Sequence, residues 1–103
     1  MNFQTFKFHP AVAAGVTAAG FTTPTPIQKQ AMPAVMAGKD VMGLAQTGTG
    51  KTAAFALPIL NRLMTGKRGT TRALIVAPTR ELAEQIHDAI TILGKKTGLK
   101  SIS

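Results

Sequence analysis

Residues 45–52 read Ala-Gln-Thr-Gly-Thr-Gly-Lys-Thr, a spacing that does one kind of chemistry well. A phosphate-cradling loop needs Gly-x-x-x-x-Gly-Lys-Ser/Thr between a strand and a helix. Gly50, Lys51 and Thr52 supply its second half, and Ala45 stands where the first glycine would be. Alanine is small enough to leave the tight exit from a strand open. Gly48 and Gly50 let the backbone wrap inward, so that successive N–H groups point at a phosphate. The start of the following helix adds partial positive charge. Lys51 brings a full charge to the β- and γ-phosphates, and the Thr52 hydroxyl is of the kind that ligates Mg²⁺. The competing reading is a Gly/Thr turn with a chance lysine. A cradle implies a nucleoside triphosphate and chooses neither the base nor the output.

A second segment bears on the base. Gly20–Gln28 reads Gly-Phe-Thr-Thr-Pro-Thr-Pro-Ile-Gln. The Gln28 amide sets a donor beside an acceptor, the pair that matches the N6/N7 edge of adenine and mispairs with O6 of guanine. Pro24 and Pro26 stiffen its approach. Phe3, Phe6 and Phe8 lie upstream, and a base stacks well on such a ring. The competing reading makes Gln28 an exposed helix-start residue and the Phe residues core.

The elements that must position these groups follow from local signals. Pro10 opens a helix that ends at Gly20, with Pro first and Gly last as helices prefer. Thr25-Pro26 caps and opens a second helix towards Met36, with Pro33 expected to break or kink it. Val41–Ala45 and Ala73–Ala77 are continuous apolar runs between turn signals, which predicts buried parallel strands. Lys51–Met64 reads as a helix containing Pro58. Thr65–Thr71 and Gly94–Gly98 are polar loops. From Arg80 to about Lys96, Leu82, Ile86, Ile90 and Leu93 recur at helical spacing, and Thr79 caps the start. Leu99–Ser103 reads as the beginning of another strand. The order is α/β with right-handed crossovers. So few strands leave edges unpaired, which points to a piece of a larger domain.

Composition narrows the chemistry further. The 103 residues carry 12 Lys+Arg against 4 Asp+Glu, a net charge of +8 that favours a polyanionic partner. The acids are Asp40, Glu81, Glu84 and Asp88, too clustered for a calcium cage or a long-range glycosidase pair. Without Cys, and with His9 and His87 alone, disulfides, thiol catalysis and zinc at the usual spacings are excluded. The apolar run Ala53–Leu60 is far short of the ~20 residues of a spanning helix, so the expectation is no membrane and a cytoplasmic protein.

Taken together, the segments resemble the DEAD-box ATP-dependent RNA helicases, over the start of their first RecA-like domain. Residues 20–28 look like the Q motif, 45–52 like motif I, and Pro78–Ile86 (Pro-Thr-Arg-Glu-Leu-Ala-Glu-Gln-Ile) like motif Ia. The resemblance covers essentially the whole chain. It implies an α/β P-loop NTPase fold with parallel strands, truncated after about the third. It implies ATP and Mg²⁺ as cofactors. Phe3 would stack on adenine and Gln28 would read its edge. Thr47, Gly48, Thr49 and Gly50 would wrap the phosphates, with Lys51 and Thr52 as above. Thr79 and Arg80 would touch the RNA backbone without reading sequence. A helix start with Arg beside it suits phosphate independently of the resemblance, although Arg80 also has Glu84 at ion-pair spacing.

The family's Asp-Glu-Ala-Asp does not occur, and no acid follows Asp88. Such an aspartate holds Mg²⁺ in P-loop enzymes. The expectation is therefore a helicase fragment that binds ATP weakly, hydrolyses it negligibly and relies on the remainder of the helicase core. The alternative is a non-catalytic basic module that holds nucleotide or RNA. A kinase or GTPase is disfavoured by Gln28 and its proline-rich lead-in.

Overall fold

The structure, a computed structural model, describes residues 2–44 and 50–103. Among the described residues, a 3-10 turn, Phe3–Phe6, precedes four α-helices: α1 (Pro10–Ala18), α2 (Pro26–Met36), α3 (Lys51–Leu63) and α4 (Arg80–Leu93).

Side-chain caps mark the heads of α1 and α4. His9 Nδ1 accepts from the Ala11 N–H at 3.1 Å at the head of α1. After α1 the chain reverses at Gly20, φ +81°, and the Phe21 N–H reaches back to the Val16 carbonyl at 3.1 Å. Gly is the residue that enters this left-handed region without a Cβ penalty. Thr25 precedes Pro26 at the head of α2, and Thr79 Oγ1 accepts from the Leu82 N–H at 3.1 Å at the head of α4. Pro33 and Pro58 both sit inside continuous helices. Pro33 does not end α2: its missing N–H frees the carbonyl of Lys29, an exposed residue where water can take the bond.

Packing centres on α3, which lies against α2, α4 and α1. Val12 of α1, Met32 of α2 and Leu57 of α3 are completely buried and form the middle of the core. The approach of α1 to α4 depends on Gly15, where a Cβ would run into the Leu93 carbonyl oxygen. Leu93 and Ile86 are the buried members of the α4 stripe, while Leu82 is exposed.

The expected parallel ladder is not formed among the described residues. Residues 41–44, 73–77 and 99–103 run without strand hydrogen bonding, and Ala45 lies outside the described residues. Met42, Leu44, Leu74, Val76 and Ile102 are 83–93% exposed, so these runs are not the buried core their composition predicts. An extended segment's N–H and C=O groups find ladder partners only on neighbouring strands. The segments 68–77 and 98–103 instead flank a groove of about 1550 Å³ whose floor includes Ile59 and Leu63 of α3 and Ile90 of α4. Among the described residues, no helix is long and apolar enough to cross a membrane.

Candidate functional site

The predicted nucleotide residues gather where α2 meets the start of α3. Gln28 lies in the first turn of α2 and is only 2% exposed. Its Oε1 accepts from the Thr25 N–H at 3.0 Å, the reach-back of a capping box. Its Nε2 donates to the Gly50 carbonyl at 3.1 Å, across 22 positions of sequence. One side chain thus fixes the head of α2 and clamps the last loop residue before α3. A primary amide has two N–H groups and two acceptor lone pairs on its oxygen, so a second N–H and a second lone pair remain.

Gly50 is shaped for this position. Its φ is +82°, and a Cβ there would collide with Gln28 Nε2 and lie 3.2 Å from Thr25 Oγ1. Any larger residue would push the Gln28 amide away or move the loop. Lys51 and Thr52 follow as the first two residues of α3, Lys51 exposed and Thr52 half-buried. Their N–H groups belong to the unsatisfied first turn of a helix, where an anion is favoured. Thr47, Gly48 and Thr49 lie outside the described residues.

Thr25 was expected only as a cap, yet its Oγ1 is buried without a hydrogen-bond partner among the described residues. It stands beside both Gly50 and Gln28. The sequence signal was the Thr-x-x-Gln spacing, which announces the cap and not the orphaned hydroxyl.

Phe3 is 7% exposed and packs with its ring centroid 6.0 Å from Phe6 and 5.9 Å from Phe21. Phe21 belongs to the segment that leads to Gln28, so the aromatic cluster anchors the chain start to that segment. Phe8 stacks on Phe6 at 5.7 Å. Packing thus accounts for most of the Phe3 surface.

Thr79 and Arg80 occupy a different helix start. Both are exposed, and the Thr79 oxygen already serves as cap acceptor while its hydroxyl hydrogen is free to donate. Glu84 accepts from the Ser103 hydroxyl at 2.6 Å, and His87 Nδ1 lies 2.9 Å from Ser101 Oγ. These two contacts tie the last residues of the chain to α4, so His87 is a packing residue as well as a surface one.

A buried glutamine clamped onto the Gly-Lys-Thr turn, with Pro-Thr-Arg-Glu capping a later helix, is a combination that family comparison can decide. The DEAD/DEAH box helicase family matches residues 25–103. The chain belongs to that family. It is 52% identical over 101 residues to the DEAD-box ATP-dependent RNA helicase RhpA of Helicobacter pylori, covering 98% of this chain and 20% of the relative. It is 48% identical over 106 residues to the ATP-dependent RNA helicase RhlB of Xanthomonas campestris, covering 97% of this chain and 18% of the relative. The chain therefore spans about a fifth of the length of these curated relatives. Among solved structures it resembles the RNA-helicase Prp28 from Chaetomium thermophilum bound to ADP, with a TM-score of 0.88 and 35% identity, over 98% of this chain and 26% of that one. It also resembles a hypothetical ATP-dependent RNA helicase from Sulfolobus tokodaii, with a TM-score of 0.76 and 36% identity, over 87% of this chain and 25% of that one. The fold class is thus that of the RecA-like helicase domains.

Proposed function

We propose that this chain supplies the nucleotide-holding edge and one RNA-backbone contact of an ATP-dependent RNA helicase, working with the remainder of a helicase core. The Gln28–Gly50 clamp carries the reading. It joins the residue suited to an adenine edge to the turn suited to phosphates, so base recognition and phosphate binding share one rigid junction.

Each residue then has a role. Gln28 offers its remaining N–H and lone pair to adenine, and Phe3 stacks on the base. Thr47, Gly48, Thr49 and Gly50 are the residues to wrap the phosphates, and Lys51 adds charge. The Gly50 turn, with no room for a Cβ, and the free first turn of α3 fit a triphosphate. Thr52 would hold Mg²⁺, which when bound neutralises phosphate charge. Thr79 and Arg80 bind RNA through phosphate and sugar, a contact independent of sequence.

The test is ATP binding by the 103-residue chain, titrated with Mg²⁺ present. Lys51→Ala removes a charge-assisted phosphate contact of about 2 kcal/mol, so affinity is expected to fall by roughly thirtyfold. Unchanged ATP affinity in that variant, with helicity intact, rejects the cradle.

A further inference from the structure

The chain's positive charge is not spread evenly. Lys67, Arg68, Arg72, Lys95, Lys96 and Lys100 are six of its 12 basic residues, and all are exposed. They fall in two short segments that contain no acid. The acids lie elsewhere: Asp40 after α2, and Glu81, Glu84 and Asp88 along α4.

The structure joins the two basic segments. Arg68 donates to the Thr97 carbonyl at 3.0 Å, which pins the loop after α3 to the turn after α4. Thr97 is 5% exposed, and its hydroxyl donates to the Gly94 carbonyl and accepts from the Leu99 N–H. Arg72 folds the same loop back by donating to the carbonyls of Thr65 and Leu63 at 2.7 and 2.6 Å. The two arginines thus act as staples, and they leave Lys67, Lys95, Lys96 and Lys100 as exposed ammonium groups on a fixed frame. The helix dipole explains a lysine just past α4. It does not explain Lys67 or Lys100.

We propose that this junction is a second RNA-backbone contact, separate from Thr79–Arg80. It rests on the RNA-binding reading above. The 14 residues of α4 set the two places about 20 Å apart, the span of about six phosphates at duplex spacing. Glu84 and Asp88 stand between them on α4 and repel a strand laid along it, so the junction holds a second segment of RNA. No Phe lies in either segment, and both guanidiniums are held by backbone carbonyls. The contact is with phosphate and is sequence-independent.

The experiment is binding of a fluorescent oligouridylate to the 103-residue chain across a salt series. The variants are Lys95→Gln/Lys96→Gln/Lys100→Gln together, and Arg80→Gln alone, each checked by circular dichroism. The triple variant is expected to reduce the salt slope by about 2, and Arg80→Gln by about 0.7. A wild-type slope and affinity in the triple variant overturns the junction as an RNA contact. Loss in the triple variant with Arg80→Gln silent upholds the junction and rejects Thr79–Arg80. Tighter binding of polyglutamate than of RNA at equal salt assigns the junction to an acidic protein and also overturns the proposal.

Discussion

Two helix starts are proposed to meet phosphates, and they are built in opposite ways. The head of α3 is held from behind. Gly50 takes a left-handed turn, and the buried Gln28 amide grips its carbonyl from another helix. The head of α4 holds itself. Thr79 caps it from the adjoining position, and Arg80 stands exposed beside it. The first arrangement depends on a contact across 22 residues; the second depends on a bond across three. A long-range clamp fixes where a ligand's atoms must sit and suits discrimination between bases. A self-capped, exposed helix start presents charge and N–H groups without a pocket, which suits a polymer bound anywhere along its backbone.

The largest effect should come from breaking the clamp at Gly50. Gly50→Ala puts a Cβ against Gln28 Nε2 and imposes a left-handed φ on a residue that resists it. With the carbonyl and the loop displaced together, ATP affinity should fall by about 100-fold, or about 3 kcal/mol. Isothermal titration alongside circular dichroism checks it. Retained ATP affinity would mean that the turn is not part of a nucleotide site, and the contrast between the two helix starts would disappear.

Gln28→Glu sharpens the same contrast by splitting the residue's two duties. Glutamate keeps the acceptor that caps α2, since Thr-x-x-Glu is also a capping box. It loses the donor that holds the Gly50 carbonyl and sets a carboxylate against it. ATP should bind about tenfold more weakly, and its preference over GTP should vanish, with α2 still formed. If ATP and GTP bind the unaltered chain equally well, Gln28 does not read the base and serves as a clamp alone.

How legible all this was depends on the range of the contact involved. Pro10, Thr25-Pro26 and Thr79 are local features, and their helices start where these residues predict, while α4 stops at Leu93, short of the expected Lys96. Pro33 signalled a break or a kink, and α2 runs on through it; Pro58 lies inside α3 as expected. Gln28 was picked out as a base reader from its amide chemistry, but its bond to Gly50 joins distant positions that no local pattern links. The same holds for Gly15, which reads as an ordinary small helix residue until Leu93 arrives against it. The apolar runs at 41–44 and 73–77 are not paired among the described residues for a related reason. Their composition suits a sheet, yet strand pairing is a property of neighbours, and Leu74 and Val76 find none among the described residues.

The smallest effect tests the self-capped side. Thr79→Ala removes the oxygen that receives the Leu82 N–H, and the loss of such a cap costs about 1 kcal/mol of stability. Urea unfolding followed at 222 nm should show the midpoint fall with an unchanged slope. ATP affinity should not move, because nothing in the Gln28–Gly50 junction leans on Thr79. RNA affinity should drop no more than a few-fold, since Arg80 and the free first turn of α4 remain. A loss of ATP binding equal to that of Gly50→Ala would show the two helix starts to be one coupled site. The division between a clamped junction proposed for the base and an open contact proposed for the backbone would then be wrong.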